Sequence, residues 1–314
     1  MSTIKLIKNR SDIGAGTRGA DMGIDAIEIA AINQHNDYFN RYDFVDVPTE
    51  NESVYDKVKF EKGKRIEFVV GQCTRLAKAV SDTLTNHEFP LVLSGDHSSA
   101  LGTISGIKAA YPEKTLGVIW IDAHADLHSP LSSPSGNVHG MPLAAALGND
   151  NEERQVNKWD SNAMSHWNDL KNIGHPGPKL KPEHLVFFGV RDTEEPEDFT
   201  IQSQGIRNYK VDEMRYRGYD VCLNEAINTL KDCDHIYISF DVDAMDCDLI
   251  SHGTGTPVSQ GFTPDEVIEI ISKFIETEKV SCLEFVEVNP LLDEKGNKMA
   301  ETAFDVLKTV SPLI

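Results

Sequence analysis

The sequence predicts an α/β fold in three layers, with a central, mostly parallel sheet of eight strands covered by helices on both faces. Short apolar segments alternate with longer amphipathic ones, which is the pattern of parallel strands joined by crossover helices. Polar clusters directly follow several apolar segments, as expected where ligands bind at the carboxyl ends of parallel strands. The chain has 314 residues, a length that such folds often reach without dividing. We therefore expect one domain over residues 1–314.

Eight segments are predicted strands because they are short, apolar and separated by polar or amphipathic stretches. In chain order they cover residues 4–7, 44–47, 91–93, 116–121, 185–190, 208–211, 236–240 and 282–286. Helices are predicted most clearly at 63–86 and 263–279. In the second, Thr263 can cap the helix and Pro264 suits its first turn. The polar segment 148–182 has little apolar periodicity and predicts a surface excursion.

Composition limits the possible partners and the compartment. A formal net charge of −20 argues against binding to nucleic acid or to an anionic membrane, because either would need a basic face. No stretch approaches the roughly 20 apolar residues of a membrane span, and the first ten residues lack the apolar core of a signal peptide. The five cysteines are scattered and lack a C-x-x-C pair, which favours a reducing compartment. A cytoplasmic protein is expected.

Three polar clusters each follow a predicted strand and together offer two imidazoles and four carboxylates. The six side chains are those of His97, Asp122, His124, Asp126, Asp241 and Asp243. The carboxyl ends of parallel strands meet at one sheet edge, so these side chains should converge. On an extended backbone, Asp122, His124 and Asp126 would also point the same way. Four carboxylates would balance two divalent ions. Oxygen-rich ligation without thiolate favours Mn²⁺ over structural Zn²⁺, with Fe²⁺, Co²⁺ and Ni²⁺ as alternatives.

Each cluster also has a purely structural interpretation. A lone histidine such as His97 is more often a hydrogen-bonded core residue than a ligand, and Asp241 and Asp243 could cap a helix. However, two acids that point the same way after a buried strand would repel each other unless a cation lay between them. The occurrence of three such clusters after three strands favours the metal interpretation.

A glycine-rich segment offers a competing cofactor interpretation. Gly14-Ala15-Gly16-Thr17-Arg18-Gly19 matches the G-x-G-x-x-G pattern of dinucleotide-binding enzymes. In that pattern the first glycine directly follows a strand, whereas residues 8–13 intervene here. No acid ends a second strand at the expected distance of about 20 residues. A glycine-rich loop is therefore favoured over a nicotinamide-dependent oxidoreductase.

The motifs resemble those of the ureohydrolase superfamily, and most of all those of arginases. The similarity extends from Arg18-Gly19-Ala20-Asp21-Met22-Gly23 to Glu287-Val288-Asn289-Pro290, which is nearly the whole chain. Ser135-Gly136-Asn137-Val138-His139-Gly140 is of the arginase type rather than the agmatinase type. Thr254-Gly255-Thr256-Pro257 also matches in order and spacing.

The resemblance implies a binuclear manganese hydrolase that converts L-arginine to urea and L-ornithine through a metal-bridging hydroxide. One ion would be bound by His97, Asp122, Asp126 and Asp241. The other would be bound by Asp122, His124, Asp241 and Asp243. The resemblance also implies that Asp126 hydrogen-bonds the hydroxide, that His139 shuttles protons and that Glu287 receives the guanidinium. A homotrimer, or a hexamer as in some bacterial relatives, is implied as well.

The residues implied for substrate binding depart from the usual arginase pattern. In addition to Glu287, they are His128, Ser133, Ser135, Asn137, Glu194 and Thr256. His128 stands where asparagine is common, Ser133 where threonine is common, and Glu194 where aspartate is common. Formimidoylglutamase, agmatinase or guanidino-acid hydrolase activity is therefore an alternative. A non-catalytic arginase-like protein is a further alternative. The presence of all six predicted metal ligands and of His139 argues against it.

Overall fold

A computed structural model describes residues 3–314 of the chain. In this part of the chain there are eight strands. They are β1 (Thr3–Asn9), β2 (Phe44–Asp46), β3 (Glu88–Ser94), β4 (Leu116–Ile121), β5 (Leu185–Phe188), β6 (Arg207–Tyr209), β7 (His235–Asp241) and β8 (Val280–Val286). They form one sheet in the order β2-β1-β3-β8-β7-β4-β5-β6, and every neighbouring pair is parallel. All eight predicted strands and the predicted fold class are confirmed.

Ten α-helices are found among residues 3–314. They are α1 (Gly23–Asn33), α2 (Ile66–Thr85), α3 (Ala100–Ala110), α4 (Pro142–Leu147), α5 (Ser161–Lys171), α6 (Glu195–Gln204), α7 (Val211–Arg217), α8 (Tyr219–Thr229), α9 (Pro264–Ile275) and α10 (Lys298–Val310). The two predicted helices correspond to α2 and α9. Thr263 caps α9 as expected: its side chain accepts a hydrogen bond from the backbone N–H of Glu266, and the Glu266 carboxylate accepts one from the N–H of Thr263.

Two hydrophobic cores lie on opposite faces of the sheet. On β4, Val118 and Trp120 point into the core shared with α2 to α5. Ile119 and Ile121 point into the core shared with α1 and α7 to α10. Side chains alternate along a strand, so a strand covered on both faces must be apolar throughout. This explains why the strands could be predicted from continuous apolar segments.

The segment 148–182 is not simply a surface excursion, and that prediction is wrong for α5. Trp167 of this helix is fully buried, and its indole N–H donates to Asp150 Oδ1 over 2.6 Å. The Lys171 ammonium donates to the same oxygen over 2.5 Å. Trp159, by contrast, is 57% exposed and borders a surface hollow of about 740 Å³. Helix α5 of this segment is therefore anchored in the core, whereas Trp159 just before it lies on the surface.

None of the helices in residues 3–314 combines the length and the apolar character that crossing a membrane requires.

Candidate metal centre and cleft

All six predicted metal ligands meet at the carboxyl edge of the sheet. They follow β3, β4 and β7, and β8 lies between β3 and β7. Two overlapping groups have ligand atoms close enough to share an ion: one contains His97, Asp122 and Asp126, and the other contains Asp122, His124 and Asp243. Asp122 belongs to both groups. The sheet topology thus brings together clusters that are far apart in sequence.

Three carboxylate oxygens surround one ring nitrogen in the first group. His97 Nδ1 lies 3.0 Å from Asp122 Oδ2, 3.1 Å from Asp126 Oδ2 and 3.2 Å from Asp241 Oδ2. Despite these short distances, His97 Nδ1 and Asp122 Oδ2 are buried without a hydrogen-bond partner. Buried polar atoms are nearly always paired, so a convergent set of this kind fits a cation bound between them.

The second group is centred on the imidazole of His124. Its Nδ1 lies 3.0 Å from Asp243 Oδ2 and 3.5 Å from Asp122 Oδ1. Asp243 Oδ2 also accepts a hydrogen bond from the hydroxyl of Thr256 over 3.1 Å. Thr256, predicted to bind substrate, therefore supports a ligand carboxylate at the edge of the cleft.

Backbone N–H groups orient three of the carboxylates. Asp122 Oδ1 accepts from the N–H of His124 over 2.7 Å, and Asp241 Oδ1 accepts from the N–H of Asp243 over 2.8 Å. Asp243 Oδ1 accepts from the N–H of Ala123 over 3.1 Å. The cap that the structural interpretation offered for Asp241 is thus present, and the second oxygen of each carboxylate still faces the cluster.

The candidate site concentrates buried acidic side chains, whose negative charge a bound cation would balance. Burial raises the pKa of Asp241, and the neighbouring Asp243 and Asp122 raise it further, so that it lies well above its ordinary value. Burial lowers the pKa of His97, but the adjacent carboxylates of Asp122, Asp126 and Asp241 outweigh burial and raise the pKa well above its ordinary value. Oxygen and imidazole donors without thiolate suit divalent ions such as Mn²⁺. The donor set and its burial therefore fit the expected metal.

Strained backbone positions two of the key acids. Asp126 has φ 51° and Glu287 has φ 67°, values that cost energy for residues with a side chain and that concentrate at functional sites. The side chains of Asp122, His124 and Asp126 were expected to point the same way by alternation along an extended backbone. That expectation is wrong, because the strand ends at Ile121 and the chain then bends. The three side chains converge through that bend and the left-handed conformation of Asp126.

Glu287 and His139 lie beside the first group. Glu287 Oε1 accepts a hydrogen bond from the backbone N–H of His97 over 2.8 Å, and His139 Nδ1 lies 3.4 Å from the same oxygen. Burial raises the pKa of Glu287, but His139 outweighs it and the pKa is lowered. Burial lowers the pKa of His139, but Glu287 outweighs it and the pKa is raised. The pair thus places a buried anion next to a basic imidazole.

The glycine-rich loop supports this pair and is not arranged as a dinucleotide site. The backbone N–H of Gly14 donates to Asp96 Oδ2 over 3.0 Å, so that N–H is not available to a phosphate. The carbonyl of Gly14 accepts from the backbone N–H of His139 over 3.1 Å. A Cβ on Gly16 would lie 2.5 Å from Asn137 Nδ2, which explains the glycine there. The loop therefore packs against the segment that carries His139.

A cleft of about 210 Å³ opens above the clusters. It is lined by His97, His124, Asp126, His128, Ser135, His139, Gly140, Asp192, Glu194, Glu197, Asp241, Thr256 and Glu287. Two predicted substrate residues, Ser133 and Asn137, are not in this lining. Ser133 is buried, and its hydroxyl accepts from the backbone N–H of Gly136 over 2.9 Å. It shapes the loop that carries Ser135.

One group of residues in the cleft lining, which we call the rim, consists of His128, Glu194 and Glu197. His128 Nε2 lies 2.7 Å from Glu194 Oε2 and 3.4 Å from Glu197 Oε2, and its Nδ1 lies 3.1 Å from Ser132 Oγ. The hydrogen bond with His128 lowers the pKa of Glu194 to about 2. Burial raises the pKa of Glu197 to about 8.

Glu197 was not predicted from the sequence, although a signal was present. Its Oε2 accepts from the backbone N–H of Glu194 over 3.1 Å, which completes a capping box at the start of α6. Its Oε1 accepts from the N–H of Leu127 over 3.1 Å. A glutamate or glutamine three residues after the cap, as Glu197 is after Glu194, is half of the signature of such a box. The capping contacts bring Glu197 to the cleft.

Comparisons with known proteins agree with this geometry. The family model described as Arginase family matches residues 3–311. The chain is 35% identical to the arginase of Bacillus subtilis (strain 168) over 310 residues, which cover 98% of this chain and 97% of that protein. The structure of arginase from Bacillus caldovelox matches with a TM-score of 0.84 at 35% identity, over 99% of this chain and 98% of that one. The formimidoylglutamase from Bacillus subtilis matches with a TM-score of 0.73 at 20% identity, over 99% of this chain and 86% of that one, which shows a shared fold alone.

Proposed function

The chain belongs to the arginase family of hydrolases, and from this premise we propose that it cleaves the guanidinium group of L-arginine to give urea and L-ornithine. The observation that carries the proposal is the pair of overlapping His/Asp groups at the floor of a cleft, with Glu287 and His139 beside them. A guanidinium is stabilised by resonance and is a poor electrophile. A site for it must therefore supply a strong nucleophile, hold the planar group and protonate the leaving amine.

We propose two Mn²⁺ ions per subunit, held by the six side chains at the floor. His97, Asp122, Asp126 and Asp241 would hold one ion. Asp122, His124, Asp241 and Asp243 would hold the other. When bound, paired divalent ions lower the pKa of water and so supply a nucleophile near neutral pH. Asp126, whose Oδ2 faces the first group, is placed to orient that water by hydrogen bonding.

Glu287 is proposed to hold the guanidinium. It is buried, and its lowered pKa keeps it ionised. Its Oε1 already accepts the backbone N–H of His97, which fixes the plane of the carboxylate. A carboxylate fixed in this way can accept two parallel N–H bonds from the planar substrate group. Glu287 therefore orients the central carbon of the guanidinium toward the floor.

His139 is proposed to transfer the proton that the leaving amine needs. An amine leaves a tetrahedral centre readily only after protonation, and an imidazole suits that transfer. Glu287 raises the pKa of His139, so the protonated form is more available than in a free imidazole. The 3.4 Å separation from Glu287 Oε1 places the ring beside the bound group.

Agmatine, the decarboxylated form of arginine, is a second candidate substrate. It is favoured by the Glu194 carboxylate of the rim, whose lowered pKa keeps it ionised, and by the neighbouring carboxylate of Asp192 in the cleft lining. Within residues 3–314, no lysine or arginine side chain lines the cleft. The N–H of His128 that faces Glu194 is engaged by it. The rim is thus better suited to an ammonium than to a carboxylate. Ser135 in the cleft lining is a neutral donor for the carboxylate of arginine.

We also propose a single cytoplasmic domain that assembles as a homotrimer or hexamer. What supports the assembly is the membership of the chain in the arginase family. Sedimentation measures the assembly directly.

The test of the function is hydrolysis by Mn²⁺-reconstituted protein, with arginine, agmatine and formiminoglutamate assayed in parallel. Urea and ornithine from arginine are expected, and the same protein stripped with a chelator should be inactive. Urea from agmatine but not from arginine would establish the second candidate instead. Turnover of formiminoglutamate alone, or of none of the three, would overturn both.

A further inference from the structure

A second cluster of potential metal ligands lies on the loop between β7 and α9. It contains Cys247, Asp248 and His252, whose sulfur, one carboxylate oxygen and one ring nitrogen all lie within 4.8 Å of one another. Among residues 3–314, the cleft lining includes none of these three. The six side chains of the floor include no thiol, so this cluster differs from the floor in its chemistry as well as in its position.

A hydrogen-bonded turn fixes the backbone of the first two members of the cluster. The carbonyl of Asp246 accepts hydrogen bonds from the backbone N–H groups of Leu249 and Ile250, over 3.1 Å and 3.0 Å. The turn encloses Cys247 and Asp248 and holds them at the start of the loop. The backbone therefore places these two side chains without help from an ion.

A carboxylate from outside the cluster orients the imidazole of His252. Glu294 Oε2 accepts a hydrogen bond from the backbone N–H of His252 over 2.9 Å, and Glu294 Oε1 lies 3.1 Å from His252 Nδ1. Because a carboxylate only accepts, the proton of the neutral ring is on Nδ1 and the lone pair is on Nε2. Histidines that bind metals commonly donate their other N–H to a carboxylate in this way. The contact with Glu294 therefore leaves Nε2 as the nitrogen that can bind an ion.

The spacing and the exposure of the cluster fit a tetrahedral ion. Bonds of about 2.0–2.3 Å place the ligand atoms of a zinc site about 3–4 Å apart. The side chains here, at separations of up to 4.8 Å, reach that geometry by moving about 1 Å. They have room to move, since the side chains of His252 and Glu294 are 50% and 45% exposed and Asp248 is exposed. Solvent can deliver the ion, and a water molecule can serve as its fourth ligand.

The donor atoms indicate which ion the cluster would take. A thiolate with an imidazole favours Zn²⁺, whereas Mn²⁺ and Mg²⁺ prefer oxygen ligands. Cys247 is buried, and its sulfur lies 3.8 Å from Ser259 Oγ, a long contact that leaves the sulfur available to a metal. On binding, the thiol would lose its proton to solvent.

We propose that Cys247, Asp248 and His252 bind one Zn²⁺ ion outside the cleft, and that Glu294 orients the imidazole. These four side chains have no part in the proposed function. The zinc site and the hydrolysis of arginine can therefore be tested separately on the same protein.

The experiment is a titration of the protein with Co²⁺ in excess Mn²⁺, followed by absorbance. Co²⁺ accepts the same kinds of ligand as Zn²⁺ and absorbs in the near ultraviolet when a thiolate is bound to it. The carboxylates and imidazoles of the floor cannot give this band. We expect Co²⁺ to produce the band in the parent, added Zn²⁺ to abolish it and further Mn²⁺ to leave it unchanged.

Matched variants assign the band to the cluster. Cys247→Ala should abolish it, and Cys233→Ala, at another buried thiol, should retain it. Glu294→Gln should weaken Co²⁺ binding about 10- to 100-fold, the usual effect of removing a group that supports a metal ligand. Glu276→Gln, at an exposed acid, should stay within about threefold of the parent, below that range.

A parent without the band would overturn the proposal, as would a band that persists in Cys247→Ala. Thermal unfolding shows whether that variant folds. If it does not, His252→Asn decides, because the loss of this exposed ligand should weaken Co²⁺ binding more than about 100-fold. Equal Co²⁺ affinity in the parent and in Glu294→Gln would refute the role of Glu294.

The two proposals fail in different ways. A parent that hydrolyses arginine but gives no band would refute the zinc site alone. A parent that gives the band but hydrolyses none of the three substrates would refute the proposed function alone.

Discussion

The floor of the cleft and its rim use the same kinds of side chain but hold them in different ways. On the floor, Asp122 and Asp241 are buried, and each is oriented by a backbone N–H two residues further along the chain. On the rim, His128 and Glu194 orient each other across 66 positions of sequence, and the side chain of Glu194 is 55% exposed. The ends of the strands thus determine where the floor residues lie, whereas contacts between side chains determine where the rim residues lie. The groups that we propose to bind metal are therefore fixed by the backbone, whereas those that we propose to select the substrate are held by each other's side chains.

Removing an acid shared by both groups on the floor should have the largest effect. We expect Asp122→Ala to weaken Mn²⁺ binding more than 100-fold, above the range of about 10- to 100-fold seen for groups that only support a ligand. The reason is that Asp122 contacts both His97 and His124. Elemental analysis after gel filtration measures the bound metal, and Asp232→Ala, at an exposed acid, is the control. Two tightly bound ions in Asp122→Ala would contradict the assignment of the floor.

His139→Asn tests whether the floor can bind metal without the proposed proton donor. Turnover of arginine should fall by about 10²- to 10⁴-fold, the usual contribution of a general acid or base. Both ions should remain bound because His139 contacts Glu287 rather than a ligand side chain. Steady-state kinetics and metal content measured on the same sample separate the two roles. If metal is lost together with activity, His139 is structural.

His128→Asn tests whether the rim selects the substrate. The change frees Glu194 from its 2.7 Å contact and supplies an amide N–H that can reach the carboxylate of arginine. The ratio of kcat/KM for arginine to that for agmatine should rise by about tenfold, consistent with one hydrogen bond to a charged group. His166→Asn makes the same substitution on α5, away from the cleft lining, and should leave the ratio unchanged. A ratio that stays constant in His128→Asn would remove the rim from substrate selection.

Glu194→Gln should have the smallest effect, visible in the pH dependence of stability. The pKa of Glu194 is lowered from 4.5 to about 2 in the folded protein, so its ionised form stabilises the fold above pH 4.5. That contribution is lost as the pH falls toward 2. Because the side chain is half-exposed, we expect less than about 1 kcal/mol at pH 7. Urea unfolding of parent and variant should differ at pH 7, and the difference should shrink as the pH falls from 4.5 toward 2, whereas Glu183→Gln, at another exposed acid, should match the parent throughout. A difference that is undiminished at pH 2 would show that the contribution is not ionic.

The sequence predicts the floor better than the rim for a physical reason. Strands buried on both faces leave continuous apolar segments, and the residues that follow them must meet at one edge of the sheet. The sequence also contains a signal for helix α5: Asp160 can cap its first turn, and the buried residues follow helical spacing. These residues are Ala163, Met164, Trp167 and Leu170. The capping box that places Glu197 was equally visible.

Other features could not be predicted from the sequence. The pairing of His128 with Glu194 depends on how two loops meet, which no local pattern encodes. The left-handed backbone conformation of Asp126 could not be predicted from the sequence either, because it depends on support from the surrounding structure. The pairing of Ser239 with Glu284 on neighbouring strands depends on strand register. Register follows from the assembled sheet and is not written in a single segment.

The position of β8 between β3 and β7 determines when the centre can form as the ribosome makes the chain. The last of the six proposed ligands, Asp243, is synthesised well before β8 (Val280–Val286). Until β8 emerges, β3 has no neighbour on its inner edge, and His97 cannot be held next to Asp241. Pairings between distant segments form slowly and expose unpaired edges in the meantime. A nascent chain that has passed residue 243 therefore contains every ligand and still has no site for the metal.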